Sequence, residues 1–204
     1  MSVSILHALI EVSNWGDAKE LEHVMTRNSN VASVYHMMGG CSYLLDANFD
    51  DKLQLEEWVS LMKGFKLPAG VPAILSLRTL KIIDVYKQKG RFDLKNYREI
   101  GDASHFFVFM DIEGSGDDVI GYVKNNDLVH SMLHIQGDHS FVLEVIAENY
   151  LKYKEMLWMM KSLKSVRHIE TQEVIAVKKY RNQIVDESGS LAYPQEDIRQ
   201  LYTL

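Results

Sequence analysis

The stretch Leu128–Ala147, LVHSMLHIQGDHSFVLEVIA, decides how this chain is read. Two apolar runs flank Gly137-Asp138, and a Gly-Asp pair between such runs marks a tight turn. The resulting hairpin is apolar on both sides. Strand alternation puts Leu133, Ile135 and Val142 on one face and Met132, Phe141 and Leu143 on the other. An antiparallel sheet with one wet face shows polar residues at every second position. Both faces of this hairpin therefore belong against other apolar surface.

A weaker copy lies at Asn30–Phe49, NVASVYHMMGGCSYLLDANF. Displacing the chain on itself by 98 residues matches 11 of the 36 positions between Asn28–Lys63 and Asn126–Lys161, without gaps. The matches include Val31/Val129, Ser33/Ser131, His36/His134, Gly39/Gly137, Ser42/Ser140 and Leu45/Leu143. They fall on the expected strands and turns. A repeat this long means two small domains rather than a solenoid of short units.

Each half gives the same series of elements. In the first, Val3–Val12 reads as a strand, Ala18–Thr26 as a helix, and Val31–Met38 with Cys41–Ala47 as a hairpin. Leu53–Phe65 follows as a helix with Leu55, Val59 and Met62 on its apolar stripe, and Val71–Tyr86 as a long last strand. In the second, the strand is His105–Glu113, the helix Gly116–Asn126, and the hairpin Val129–Gln136 with Ser140–Ala147. Asn149–Leu163 is then a helix with Leu151, Met156, Leu157 and Met160 inward, and Ser165–Arg181 the final strand.

The order β-α-β-β-α-β is the split ferredoxin-like unit. The expected fold is α+β: two such units in tandem, residues 1–87 and 105–181, packing sheet to sheet as a pseudo-dimer of the dimeric α+β-barrel type. Residues 88–104 read as a polar linker with four Lys/Arg and three acidic residues interleaved, and residues 182–204 as a tail.

Composition narrows the function. A net charge of −6 argues against direct nucleic-acid binding, which needs many Lys/Arg against phosphates. The single Cys41 cannot form an internal disulfide, which fits a cytoplasmic chain. The N-terminal MSVSILHALIEV has no basic region ahead of its apolar run, and no run reaches membrane-spanning length. Neither a signal peptide nor a membrane partner is expected. No phosphate loop, nucleophile elbow or metal-ligand spacing occurs, so no metal and no cofactor is expected.

The second copy resembles the effector-binding domain of the Lrp/AsnC transcription regulators. The residues that carry the resemblance are Gly137 through Val145, GDHSFVLEV, and Val166 through Val174, VRHIETQEV. His139 and Ser140 depart from the family hairpin, which has an aromatic residue and an Asp there, and Gly40 replaces the motif Asp in the first copy. The first strand begins too early for the family's helix-turn-helix to precede it. The resemblance implies a non-enzymatic sensor or regulatory interaction module with an amino-acid-like ligand at Gly137, Asp138 and Ser140, and at Gly39 and Ser42 in the first copy. It also implies homo-oligomers or pairing with related regulators. A Gly-Asp turn suits such a ligand, because backbone N–H groups meet a carboxylate while Asp138 meets an ammonium. Asp-containing turns also form for purely conformational reasons.

A second expectation comes from the histidines. His36 and His134 are equivalent in the two copies, and Glu144 lies on the neighbouring strand. Inside a dimeric α+β barrel these groups could do the acid–base work of a monooxygenase, isomerase or decarboxylase. The bland reading is a set of hydrogen-bonded histidines lining a sheet interface.

Overall fold

The computed structural model describes residues 6–15, 19–67, 70–88 and 104–185. The expected linker, save its two end residues, and the tail beyond Val185 lie outside them. The elements are β1 (Leu6–Asn14), α1 (Lys19–Arg27), β2 (Val31–Met38), β3 (Tyr43–Phe49), α2 (Lys52–Lys63) and β4 (Ile74–Gln88). They continue as β5 (Ser104–Ile112), α3 (Asp117–Lys124), β6 (Val129–Gln136), β7 (Phe141–Ala147), α4 (Tyr150–Lys161), β8 (Val166–Tyr180) and β9 (Gln183–Ile184). The βαββαβ series is present twice.

By compactness, unit 1 is Met1–Lys81 with Ile175–Leu204, and unit 2 is Ile82–Val174. Both division points fall inside the long strands. Unit 1 has the order β2-β3-β1-β4, with β8 pairing on β2; unit 2 has β6-β7-β5-β8, with β4 on β6. Each unit thus takes the closing half of a strand that begins in the other.

Alternation sorts the strands into two faces. In unit 1, Ala8, Ile10 and Val12 of β1 and Tyr43, Leu45 and Ala47 of β3 pack with Leu21, Met25, Leu55, Trp58 and Met62 of the helices. In unit 2 the matching core joins Phe106, Val108 and Met110 to Phe141, Leu143 and Val145, under Val119, Val123, Tyr153, Met156 and Met160. His7, Leu9 and Glu11, and His105, Phe107 and Phe109, consequently face away from the helices.

The helix starts have local causes. Asp51 caps α2, its carboxylate accepting from Gln54 N at 2.9 Å, and Asn149 caps α4 by accepting from Lys152 N at 3.0 Å. Capping at Asn149 fixes the phase of α4. Tyr153, Met156 and Met160 then point inward, while Leu151, two residues from Tyr153, is exposed. The expectation that Leu151 packs inward is corrected accordingly. The tail expected from Asn182 starts instead as a tight turn at Arg181 and Asn182, both with positive φ, leading into β9.

Helix α3 starts without a side-chain cap, on Gly116 in the left-handed conformation with φ of 68°. A Cβ there would run into the Ile112 side chain and lie 3.3 Å from Phe141. Gly114 also has positive φ, but nothing lies near it. Gly114→Ala should therefore cost about 1 kcal/mol for the backbone alone, and Gly116→Ala about 2–3 kcal/mol, compared by urea titration.

The exchanged strand ends are tied down by lysines at equivalent places. Lys87 Nζ donates to the carbonyls of Val123 and Asn126, at 2.7 and 2.6 Å, behind α3. Lys179 Nζ donates to the Asn28 carbonyl, at 2.8 Å, behind α1. A cation suits the negative end of a helix. Burial nevertheless pushes the Lys179 ammonium down to about 8, and pushes the Tyr153 phenol up to about 12. These shifts set opposite slopes. Between pH 8 and 10.5 the unfolded Lys179 holds a proton the folded one gives up, so stability rises with pH. Above pH 10 the unfolded Tyr153 ionises before the folded one, so stability falls. Urea midpoints against pH should show the rise flattened in Lys179→Met and the fall flattened in Tyr153→Phe.

Candidate functional site

The polar groups on the open face of each sheet are arranged by the repeat. In unit 1, His7 on β1 meets Asp46 on β3, with Nε2 and Oδ1 2.6 Å apart. In unit 2, His105 on β5 meets Glu144 on β7, with Nε2 and Oε1 3.1 Å apart. Both pairs span the same diagonal of an antiparallel ladder, since Leu9 is opposite Asp46 and Phe107 opposite Glu144. His7 and His105 are also 98 residues apart, as are Asp46 and Glu144. The fold has therefore kept one histidine–carboxylate pair in each copy.

Their settings differ. The His105 and Glu144 side chains are 2% and 9% exposed, while those of His7 and Asp46 are 28% and 32% exposed. An imidazole fixed by a carboxylate has its tautomer and ring orientation set. Such a pair can take up or release a proton. Farther along the open face of unit 1, the buried Glu11 pairs with Arg78 of β4.

The sequence-derived acid–base set is not assembled as expected. His134 lies 5.3 Å from the Phe141 ring and 6.2 Å from Tyr86, on the helix side of the unit 2 sheet. Glu144 is on the opposite face. His36 belongs to unit 1, where it stacks on Tyr43 at 5.0 Å. Burial, with help from the Lys178 charge, lowers its proton affinity. Of the three, only Glu144 belongs to a histidine–carboxylate pair, and its partner is His105.

The turn residues hold the hairpins. Ser42 Oγ accepts from Asn14 N at 3.3 Å, and Ser140 Oγ accepts from Ile112 N at 3.4 Å. Both bonds fall at a register shift, Ser13/Asn14 in one copy and Asp111/Ile112 in the other. Gly39 has a φ of 140°, whereas Gly137 keeps a negative φ. Gly137 and Asp138 are exposed.

A cleft of about 460 Å³ lies among Glu113–Asp118, Lys164, Ser165 and Arg167, and one of about 470 Å³ between α2 and Thr79. Neither is lined by His36, His134 or Glu144. Among the described residues no three His, Cys, Asp or Glu side chains are placed to hold a metal ion, and no helix is long and apolar enough to cross a membrane.

No protein-family model and no curated protein sequence matches the chain. Solved structures do. The siroheme decarboxylase NirDL superposes on 98% of this chain and 79% of its own, with a TM-score of 0.66 and 10% identity. Its complex with an iron-uroporphyrin III analogue gives 0.65. An anthrone oxidase-like protein covers 86% of this chain and 93% of its own, at TM-score 0.51 and 10% identity. The transcriptional regulator NMB0573 from Neisseria meningitidis, in complex with L-Met, matches 54% of this chain with a TM-score of only 0.36. The sensor reading drawn from the Lrp/AsnC resemblance is overturned by this pattern. A short hairpin motif suggested a regulator, but the likenesses that span the whole chain are to dimeric α+β-barrel enzymes. The fold is α+β, of that barrel class.

Proposed function

We propose that this chain is an enzyme of the dimeric α+β-barrel type whose histidine–carboxylate pairs transfer protons, and that its reaction is decarboxylation of a carboxylate-bearing tetrapyrrole. The repeated pair, His7–Asp46 and His105–Glu144, is the observation that carries the reading. A buried ionisable pair has no packing role that an apolar pair would not fill at least as well. Its recurrence in both copies, at different burial, favours use over accident. The reaction class is supported by the whole-chain likeness to NirDL.

The chemistry needs little else from the protein. When the bond between carbon and carboxylate breaks, CO₂ leaves and the electron pair stays on carbon. An imidazolium then gives its proton to that carbon, and the carboxylate beside it stabilises the charged ring before transfer. Solvent restores the proton.

The test is incubation of the purified chain with iron-uroporphyrin III. The expected result is a shifted Soret band, released CO₂ and a corresponding mass loss in the tetrapyrrole. Absence of binding and of CO₂ release would overturn the decarboxylase assignment. Turnover of anthrone in the same preparation would move the reaction to oxidation of a planar aromatic substrate, the activity suggested by the second structural likeness.

A further inference from the structure

Helices α2 and α4, which hold equivalent places in the two units, both turn apolar side chains to solvent. α2 exposes Leu53 and Leu61, and α4 exposes Leu151, Met159 and Trp158, the last at 75%. Leu53 is equivalent to Leu151 and Leu61 to Met159, 98 residues on. Among the described residues, α1 and α3 expose no large apolar side chain. Single exposed apolar residues are ordinary, but Leu151, Trp158 and Met159 stand at i, i+7 and i+8 of one helix face. That spacing belongs to a helix packed on another surface.

The two stripes differ in ways that let one receive the other. Where α4 carries Trp158, α2 carries Ser60 at the equivalent position. Ser60 lines the cleft of about 470 Å³ beside α2, together with Leu55, Glu56, Val59 and Thr79. One helix thus has a projecting ring and the other a partly apolar recess. The charges beside them are opposite as well. Lys154 lies one helical turn before Trp158, and its equivalent, Glu56, lies one turn before Ser60. Residues 50–63 carry four acidic residues and two lysines, whereas the equivalent residues 148–161 carry two acidic residues and three lysines.

The present contacts of these charges are weak ones. Lys154 Nζ sits 4.7 Å from the centre of the Tyr150 ring, and Glu56 pairs with Lys52 at 3.1 Å on the surface. Exposed contacts of this kind contribute little and exchange readily. Packing α4 on α4, or α2 on α2, would set like charges together. Packing α4 on α2 sets unlike charges together and gives the indole a recess. Both surfaces belong to one sequence and both are exposed in the single chain, so a second copy supplies the fitting partner.

We propose that α4 of one chain docks on α2 of a second copy, with Trp158 of the first seated in the cleft of the other and Lys154 paired with Glu56 across the contact. An aromatic anchor in a desolvated recess carries much of the binding energy of such a contact, and the charge pair sets partner and register. The proposal is independent of the decarboxylase reading. Sedimentation velocity of the full chain over a concentration series tests it. The wild type should form a concentration-dependent species heavier than the monomer. Trp158→Ser, which removes the anchor from an exposed position, and Ser60→Trp, which fills the recess, should each weaken association on the order of 30-fold. Lys154→Glu and Glu56→Lys should each weaken it on the order of tenfold. A chain carrying both charge changes should recover most of that loss, because the pair is re-formed with its signs exchanged. Circular dichroism checks that each variant is folded. A chain that stays monomeric at every concentration would leave the stripe to a different partner and overturn the proposal. So would association unchanged by Trp158→Ser and Ser60→Trp, or a doubly exchanged chain that associates no better than its single variants.

Discussion

Replacing His105 by Ala should destabilise the chain by about 3–5 kcal/mol, because it takes the imidazole partner away from a carboxylate that has almost no contact with water. Replacing both members, His105→Leu with Glu144→Met, should recover most of that loss, since no charge then remains to be desolvated. This cycle separates the structural role of the pair from its chemical role. A pair that only fills the sheet face can be exchanged for apolar side chains without loss of activity. A pair that moves protons cannot. The expected result is a double variant with near-wild-type urea midpoint and a kcat on iron-uroporphyrin III lower by about 10²–10⁴-fold. Full activity in that stable double variant would remove His105 and Glu144 from the mechanism.

The unit 1 pair provides the contrast. His7 and Asp46 are about a third exposed, so His7→Gln should change stability by less than about 1 kcal/mol. Any loss of turnover in His7→Gln is then chemical. Comparing the two variants shows which copy works on substrate.

The fold was legible because the repeat reports it twice. Strand β2 and strand β6 fall where alternation placed them, and Met132, Leu133, Ile135, Phe141, Val142 and Leu143 on the two sides of the hairpin are all buried. What alternation could not give was the division of the long strands between units. Both β4 and β8 run for 15 residues as single strands with no Gly or Pro inside them, so no residue marks the point where one compact unit hands over to the other. The site was less legible for a different reason. His7 and His105 lie outside the gap-free window in which the repeat was scored, and each meets its carboxylate two strand positions off the direct cross-strand partner. Carrying the same 98-residue displacement back to His7 would have found the pair. His36 and His134 attracted notice because they match, yet their match reflects a shared place beside an aromatic ring, Tyr43 in one unit and Phe141 in the other.

Phe106→Ala is expected to cost about 3–5 kcal/mol, and the repeat itself supplies the control. The Phe106 ring stacks on Tyr153 at 3.7 Å with only 6° between their planes, and it is buried in the helix-side core of unit 2. The equivalent of Phe106 in unit 1 is Ala8, so alanine fits this backbone position without strain. The loss is therefore a cavity. Unit 1 fills the same volume from the opposite direction: Phe49 stands where unit 2 has Ala147, Trp58 where it has Met156, and Leu55 where it has Tyr153. Phe49 and Trp58 lie 5.8 Å apart, centroid to centroid. Adding Ala147→Phe and Met156→Trp to Phe106→Ala should thus restore part of the lost stability in urea titration, while Ala147→Phe alone should destabilise by overpacking. A second readout tests the same geometry. Burial holds the Tyr153 phenol up at about 12, and opening a cavity beside it admits water, so its ionisation in Phe106→Ala should move back toward the ordinary value of 10.0 in an ultraviolet titration. A small loss of stability with an unmoved phenol would mean that neighbouring side chains collapse into the gap, and that this core is held less firmly by the aromatic stack than the ring geometry implies.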